Sequence, residues 1–255
     1  MNSRGAALCE DYLASVTGIM RRILDEEEES LQAAAALVAD QVAADRLVHI
    51  YGPGGHSNLG AQEIFFRAGG LMHVSAILDE GTLLSNGALR SMAVERLPGY
   101  GRVVIGGQNL RPDDLLVLVN AYGINAALID AALLARELGV TTIGVSSRDH
   151  ARDTALDHPA RHPSGLNLGD LVNVLIDCKV PIGDAVVSVP GVAEKTGAVS
   201  TFANAFALNS MVIRAIALLA ERGIDPPMWR SGNAPGGDET NARFRDRFRS
   251  QVPWL

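Results

Sequence analysis

Short apolar runs alternate with amphipathic segments through the middle of the chain. Each apolar run is long enough for one buried strand, and the runs lie at 47–51, 71–78, 115–119, 140–145 and 171–176. The segment 124–138 has helical periodicity and is followed by Gly139, a common helix stop. Strands that alternate with helices of this length predict right-handed βαβ units and a parallel sheet. A shorter run at 103–105 predicts a small extra strand.

The N-terminal region predicts a pair of helices. Apolar residues recur at helical spacing within 6–44, and the acidic run 25–29 interrupts the pattern. Ser30 is a candidate N-cap for the second helix. The alanine-rich face at 31–38 permits close helix approach, so we expect it to pack on another subunit.

The C-terminal third predicts two further helices. The apolar helix 198–222 is expected to cover one sheet face, and a charged helix is expected at 239–250. The predicted organisation is therefore an N-terminal helical pair at 1–45, an α/β domain at 46–223, and a tail with a helix at 224–255. That tail is expected to pack on the same domain or on a neighbouring subunit.

Composition narrows the class of partner. The chain has 255 residues, 47% hydrophobic and 20% charged, which is enough for a full core. A net charge of −7 argues against nonspecific binding to nucleic acid or to an anionic membrane. The sequence shows neither a signal-peptide pattern nor an uncharged apolar run of membrane-spanning length. We therefore expect a cytoplasmic protein with no membrane or nucleic-acid partner.

The glycine-rich turn after the first apolar run is the strongest candidate binding feature. Three glycines within 52–55 allow a tight turn, and Ser57 or Asn58 can cap a helix that runs to about Ala68. A helix N-terminus beside bare backbone favours an anion. No Gly-Lys-Ser/Thr follows, which excludes a P-loop. A dinucleotide site stays open as an alternative with Asp79 on the ribose, although Ser57 replaces the third glycine of that motif.

A second turn, at 120–125, follows the third apolar run. The carboxyl ends of parallel strands meet at one edge of the sheet, where ligands of open α/β folds bind. We therefore expect the turns 52–57 and 120–125 to face one pocket.

Several motifs resemble the SIS (sugar isomerase) domain, which binds phosphosugars. Gly-x-Gly-x-Ser after the first strand is typical of that family, and one branch of phosphosugar isomerases shares longer strings. The matching strings lie at 54–70, 181–185, 197–201 and 231–233, with Asn241 near the end. The resemblance covers about residues 40–250. It implies a three-layer αβα SIS domain with a flavodoxin-like, mostly parallel five-stranded sheet.

The resemblance also implies a function. The expected activity is aldose–ketose isomerisation of a phosphorylated or otherwise anionic sugar through an enediol, without an organic cofactor. Alternatives are a sugar-phosphate lyase or etherase, and a non-catalytic phosphosugar sensor. Members of the family often share active sites between subunits, so we expect a homodimer or homotetramer.

The ligand-binding residues that the resemblance implies are Gly54, Gly55, Ser57, Asn120, Tyr122, Gly123, Asn125, Ser164, Ser200 and Thr201. The second turn departs from the family's usual string, because Asn120 and Tyr122 replace two serines. Leu166 replaces a lysine found in relatives. A phosphate dianion needs several donors and a cation. These departures leave open whether the substrate is a simple phosphate ester.

Glu63 is the first candidate base, because a buried glutamate near C1 and C2 of a sugar can shuttle the proton. The alternative is a helix-surface pair with Arg67, four residues later. Glu95 is the second candidate base. His56 and His162 are candidates for opening the sugar ring. Some SIS heptose-phosphate isomerases hold zinc, but we expect no metal site in this chain.

Overall fold

The computed structural model describes residues 4–255 and is built around one parallel sheet. Its strand order is β2-β1-β3-β4-β5, with every neighbouring pair parallel. This is the flavodoxin-like order, so the predicted fold class is confirmed. The strands are β1 Val48–Tyr51, β2 Val74–Ile77, β3 Leu115–Val119, β4 Thr141–Ser146 and β5 Val174–Asp177.

Helices cover both faces of the sheet. They are α1 Arg4–Glu26, α2 Glu28–Ala43, α3 Ser57–Ile64, α4 Ala88–Glu95, α5 Tyr100–Gly106, α6 Ala126–Glu137, α7 Arg148–Asp153, α8 Ser200–Glu221 and α9 Gly237–Arg249. A small antiparallel ribbon joins β6 Ala185–Val187 to β7 Thr196–Ala198. Residues 1–3 of the predicted N-terminal helical pair lie outside the described residues.

Two apolar cores make the fold three-layered. On one face, residues of α1, α2, α3 and α8 pack on the sheet, among them Ile23, Leu31 and Leu208. On the other face, Ile105 of α5 and Leu128 of α6 pack against alternate positions of the strands. Side chains of successive strand residues point to opposite faces, so both faces of a buried parallel sheet must be apolar. The fully buried β3 satisfies this requirement.

Three local predictions were wrong. The run 103–105 lies inside α5, which packs closely against α6; three apolar residues do not distinguish a strand from a helix. α3 ends at Ile64 rather than near Ala68, because Phe66 adopts a positive φ of 48°. Ser30 lies inside α2, which begins at Glu28 and carries acidic residues in its first turn instead of a side-chain cap.

The alanine face of α2 packs inside the chain and not on another subunit. Ala34, Ala35 and Val38 are buried in the core that α2 shares with α8. Small side chains let the two helix backbones approach each other, which explains the composition of this face. The packing prediction for 31–38 was therefore wrong.

The predicted oligomer does not depend on the alanine face alone, and it stays a prediction. We expect the 27.0 kDa chain to form a homodimer or homotetramer. Light scattering at micromolar concentration checks this directly, and a mass equal to one chain contradicts it.

A buried ion cluster fixes the break between α1 and α2 against the end of β5. The ammonium of Lys179 lies 2.6 Å from Glu27 Oε1 and 3.2 Å from Asp177 Oδ2. The side chains of all three residues are nearly buried, at 8–9% exposure. Glu27 also accepts the backbone N–H of Asp177 at 3.3 Å, so the helix break is tied to the sheet.

One helix, α8, is long and apolar enough to cross a membrane by length and composition alone. In the structure it lies against α2 and α3, and its buried face belongs to the larger core. This is the environment of a core helix.

Candidate functional site

A cavity of about 220 Å³ lies at the carboxyl edge of the sheet, where β1 and β3 end. The two predicted turns meet there, as expected from the parallel topology. α4 closes one side, and the N-terminus of α8 reaches the cavity with Ser200. The lining residues are Gly54, Gly55, His56, Ser57, Leu84, Ala88, Ser91, Met92, Glu95, Asn120, Ala121, Tyr122, Asn125, Asp184 and Ser200.

Hydrogen bonds from Asn58 and Asn120 fix the conformation of the first turn, 52–57. The carbonyl of Gly54 accepts from the backbone N–H of Asn58 at 3.1 Å and from its Nδ2 at 2.9 Å. Asn120 Nδ2 donates to Ser57 Oγ at 3.1 Å and to the carbonyl of Pro53 at 3.2 Å. The turn is therefore fixed to both α3 and β3.

The N-terminus of α3 presents free donors to the cavity. Within residues 4–255, the backbone N–H groups of Gly55, His56 and Ser57 have no hydrogen-bond acceptor. The Ser57 hydroxyl lies beside them and accepts from Asn120, so its own proton can point into the cavity. Free N–H groups and the positive end of the helix dipole together favour an anion at this point.

The second turn, 120–125, is stabilised by the two residues that replace serines, Asn120 and Tyr122. Asn120 Oδ1 accepts the backbone N–H groups of Tyr122 and Gly123, each at 3.0 Å. The ring of Tyr122 stacks on His150, with centroids 3.8 Å apart and an interplanar angle of 20°. The residues that replace the family's serines therefore build a rigid wall with an aromatic face.

Glu95, the last residue of α4, projects into the cavity from the opposite side. Burial raises the pKa of its carboxyl to about 7, and the charge of Arg96 only partly offsets this. Gly54 has a φ of 110°, and a Cβ at this position would overlap Glu95 Oε2. The same position lies 3.7 Å from Ser57 Oγ. Glycine at 54 therefore lets the carboxyl lie beside the first turn.

Asp184 occupies the N-terminus of α8. Its Oδ1 accepts the backbone N–H groups of Val199 and Ser200 at 2.9 and 2.7 Å, and its Oδ2 accepts the Ser200 hydroxyl at 2.7 Å. The N-terminus of α8 thus already binds a carboxylate, and we therefore assign the ligand anion to the N-terminus of α3. Asp184 belongs to one of the matching strings, but the sequence did not identify it as a site residue.

The structure brings most of the predicted site residues together. The cavity is lined by Gly54, Gly55, His56, Ser57, Glu95, Asn120, Tyr122, Asn125 and Ser200. Gly123 and Thr201 do not line it; Gly123 supports the second turn, and Thr201 lies inside α8.

Glu63 does not line this cavity. Its Oε1 lies 3.5 Å from Arg67 Nε and accepts from Asn209 Nδ2 at 3.2 Å, in a separate depression between α3 and α8. Arg67 is the partner that the alternative interpretation gave it. Six residues after Ser57, the helix has turned this side chain away from the first turn.

His162 and Ser164 also lie outside the cavity. His162 Nε2 lies 3.2 Å from Asp130 Oδ1, and its Nδ1 lies 2.8 Å from Ser164 Oγ. Leu166, at the position of the relatives' lysine, packs on the core formed with α5 and α6. This segment therefore supplies no cation to the cavity.

Sequence reasoning missed the wall formed by Leu84, Ala88, Ser91 and Met92. Their segment, 82–110, has no clear periodicity, and α4 is only eight residues long. A helix this short depends on tertiary packing, so its sequence signal is weak.

Metal binding has no support in the side-chain arrangement. Among residues 4–255, no three His, Cys, Asp or Glu side chains are grouped so that they could hold an ion. Three residues of these types line the cavity, namely His56, Glu95 and Asp184. Both carboxylate oxygens of Asp184 already accept hydrogen bonds at the N-terminus of α8.

Comparison with known proteins gives consistent results. Residues 11–147 match the SIS domain family model. The chain is 33% identical to a UPF0309 protein of Geobacillus kaustophilus over 248 residues, covering 97% of both chains. It is 36% identical to a UPF0309 protein of Streptomyces griseus, covering 96% of both. A phosphoheptose isomerase structure from Neisseria gonorrhoeae shares the fold at a TM-score of 0.51, with 16% identity over 83% of this chain and 99% of that one.

Proposed function

This chain belongs to the SIS-domain family and to the UPF0309 group, and on that premise we propose that it binds a sugar phosphate in the cavity and isomerises it. The proposed reaction is an aldose–ketose interconversion through an enediol. A similar fold occurs in a protein named phosphoheptose isomerase, which supports this reaction class.

The placement of Glu95 beside the anion-binding turn carries the proposal. A general base works best when its pKa lies near the operating pH, and burial raises the pKa of Glu95 to about 7. A Cβ at position 54 would overlap Glu95 Oε2 and would lie 3.7 Å from Ser57 Oγ, so the carboxyl and the hydroxyl are close to each other. A sugar whose anion lies at α3 therefore extends its carbon chain toward Glu95.

The proposed chemistry balances without a cofactor. The Glu95 carboxylate removes the proton from C2 of the open-chain aldose, and a solvent water gives a proton to the carbonyl oxygen at C1, which yields the enediol and hydroxide. The protonated Glu95 then returns its proton to C1, while the hydroxyl at C2 gives its proton to that hydroxide and becomes the ketone carbonyl. His56, which lines the cavity from the first turn, would assist ring opening.

No lysine or arginine among residues 4–255 would contact the bound phosphate in this cavity. The cavity lining within 4–255 contains neither residue type. The backbone N–H groups of the first turn and the hydroxyl of Ser57 would therefore supply the donors. Because the Ser57 hydroxyl is one of few donors to the phosphate, its removal is expected to weaken sugar-phosphate binding.

We expect Ser57→Ala to weaken sugar-phosphate binding about tenfold, or roughly 1.5 kcal/mol, as is typical of a hydrogen bond to a charged group. Isothermal titration calorimetry with the sugar phosphate that binds the unaltered protein measures the change. Ser164→Ala is the matched control, because Ser164 lies outside the cavity. Equal affinities of Ser57→Ala and the unaltered protein, with both folded, would remove Ser57 from the site.

The test of the function is a product assay on a panel of aldose and ketose phosphates. Isomerisation predicts interconversion of one aldose–ketose pair and solvent deuterium incorporation at the reacting carbon. Loss of a substituent β to the carbonyl would instead show a lyase. Saturable binding without any turnover would show a sensor.

A further inference from the structure

Asn125 stands at the N-cap position of α6, but its side chain does not cap the helix. Asparagine is favoured at N-caps because its side-chain oxygen accepts an N–H of the first turn. Here that bond is absent, and Asn125 Nδ2 donates instead to Glu95 Oε1 at 3.3 Å. The amide therefore contacts the carboxyl of Glu95 across the cavity instead of a backbone N–H group of α6.

The other end of the same amide is also unusual. Asn125 is 3% exposed, and its Oδ1 is buried without a hydrogen-bond partner among residues 4–255. Leaving a buried acceptor unpaired costs stability. An unpaired acceptor beside a carboxyl that changes its protonation state has a direct use, because the protonated carboxyl needs an acceptor.

Asn125 is distinguished from the other groups near Glu95 by this contact. Arg96 lowers the pKa of Glu95 through its charge, and Tyr122, His56 and Asp184 share the cavity from other elements. Within 4–255, the hydrogen bond that the Glu95 carboxyl makes is the one from Asn125.

We propose that Asn125 is a positioning residue that holds the Glu95 carboxyl in both of its protonation states. When Glu95 is ionised, Nδ2–H donates to Oε1. When Glu95 carries the proton, its O–H donates to Oδ1 after the amide rotates by half a turn. A group that takes a proton from one carbon and returns it to the next keeps its place throughout.

An asparagine suits this task better than its close relatives. Aspartate offers acceptors only and would place a second negative charge beside Glu95, whereas serine is too short to span the gap. The catalytic value of Asn125 rests on the proposed function, but its coupling to Glu95 rests on the contact alone.

The experiment follows the Asn125 side-chain NH₂ signal by NMR in full-length protein labelled with ¹⁵N-asparagine. Asn125→Ser identifies the signal by its disappearance and keeps a residue suited to the N-cap of α6. We expect the chemical shift of this signal to change between pH 5 and 9. The midpoint of the change is expected to equal that of the Glu95 carboxyl, whose titration is measured by ¹³C NMR.

Two variants separate Glu95 from the histidine of the same cavity, because histidine side chains titrate in this range as well. Glu95→Gln is expected to abolish the shift, and His56→Gln is expected to retain it. A flat Asn125 signal, or one lost in His56→Gln and kept in Glu95→Gln, overturns the inference whether or not the protein turns over a sugar phosphate.

Kinetics then tests the catalytic value of the contact. We expect Asn125→Ser to lower kcat about tenfold and to leave KM within about twofold, since the anion contacts lie elsewhere. A raised KM with unchanged kcat would make Asn125 a ligand-binding residue and overturn the positioning role. Absence of turnover in the unaltered protein refutes the proposed function instead, and the NMR result still decides on Asn125.

Discussion

Glu95→Gln is expected to lower kcat by a factor of about 100 to 10,000 while ligand affinity stays nearly unchanged. Glutamine keeps the size and the hydrogen-bonding capacity of the side chain, but it cannot accept the proton. The ligand's anion is expected to bind to the backbone N–H groups at the N-terminus of α3 and to Ser57, and the substitution removes none of these donors. Steady-state kinetics, calorimetry and deuterium exchange at C2 of the substrate measure the separate effects.

Glu63→Gln is the matched control for this variant. Glu63 is a glutamate on the neighbouring helix α3, but it pairs with Arg67 outside the cavity. We expect this variant to keep its turnover and to lose slight stability at most, because the pair is partly exposed. Deuterium exchange that survives in Glu95→Gln and disappears in Glu63→Gln would reverse the assignment.

The pH dependence follows from the same carboxyl. Only ionised Glu95 can act as the base, so kcat/KM is expected to rise with pH through a midpoint near the pKa of about 7. Its folded-state pKa lies above the ordinary value of 4.5, so its contribution to stability is lost as pH rises from 4.5 through about 7. We therefore expect Glu95→Gln to be more stable than the unaltered protein at pH 8, and less different from it at pH 5.

Lys179→Met is expected to lower the free energy of unfolding by about 3–5 kcal/mol, the usual cost of breaking a buried ion pair. Glu27 and Asp177 would keep their charges in a nearly buried place without the ammonium between them. Methionine fills a similar volume, and it meets the same positive φ of 56° that lysine already tolerates. Urea denaturation, followed by circular dichroism, measures the change.

Arg22→Met provides the comparison for Lys179→Met. Arg22 pairs with Glu26 on the exposed surface of α1, where ion pairs contribute little. We expect its free energy of unfolding to remain close to that of the unaltered protein. An equally small effect of Lys179→Met would show that the buried cluster does not stabilise the fold.

The Lys179 cluster also predicts behaviour at high pH. Burial opposes the charge of Lys179, but hydrogen bonds and charges of Glu27 and Asp177 outweigh it and raise the pKa of the ammonium above 10.5. Its stabilisation is therefore fully present below pH 10.5 and is lost as pH rises through the folded-state pKa. Lys179→Met is expected to lack this alkaline loss.

The sequence by itself determined the fold and the place of the site. Buried strands such as Leu115–Val119 are continuous apolar runs, and the helices between them have a 3.6-residue period. These signals are local in the chain, so they can be read without contacts. The turns at 52–57 and 120–125 followed from the same pattern, because parallel strands place their carboxyl ends at one edge.

Only the tertiary structure decided which of the two candidate acids lines the cavity. The sequence predicted both Glu63 and Glu95 as candidate bases and put Glu63 first. The rotation of α3 turns Glu63 toward α8, whereas packing of the short α4 brings Glu95 over Gly54. Helix phase and inter-element packing depend on contacts between residues far apart in sequence, and no local pattern carries them.

The same reason explains the other differences. The alanine face of α2 shows that a close helix partner exists, but its identity as α8 within the chain comes from packing alone. The roles of Asp184 and Asn125 depend on partners 16 and 30 residues away. Residue types and spacing thus determined the architecture and the position of the glycine-rich turn, while the tertiary structure determined which side chains pair in the cavity.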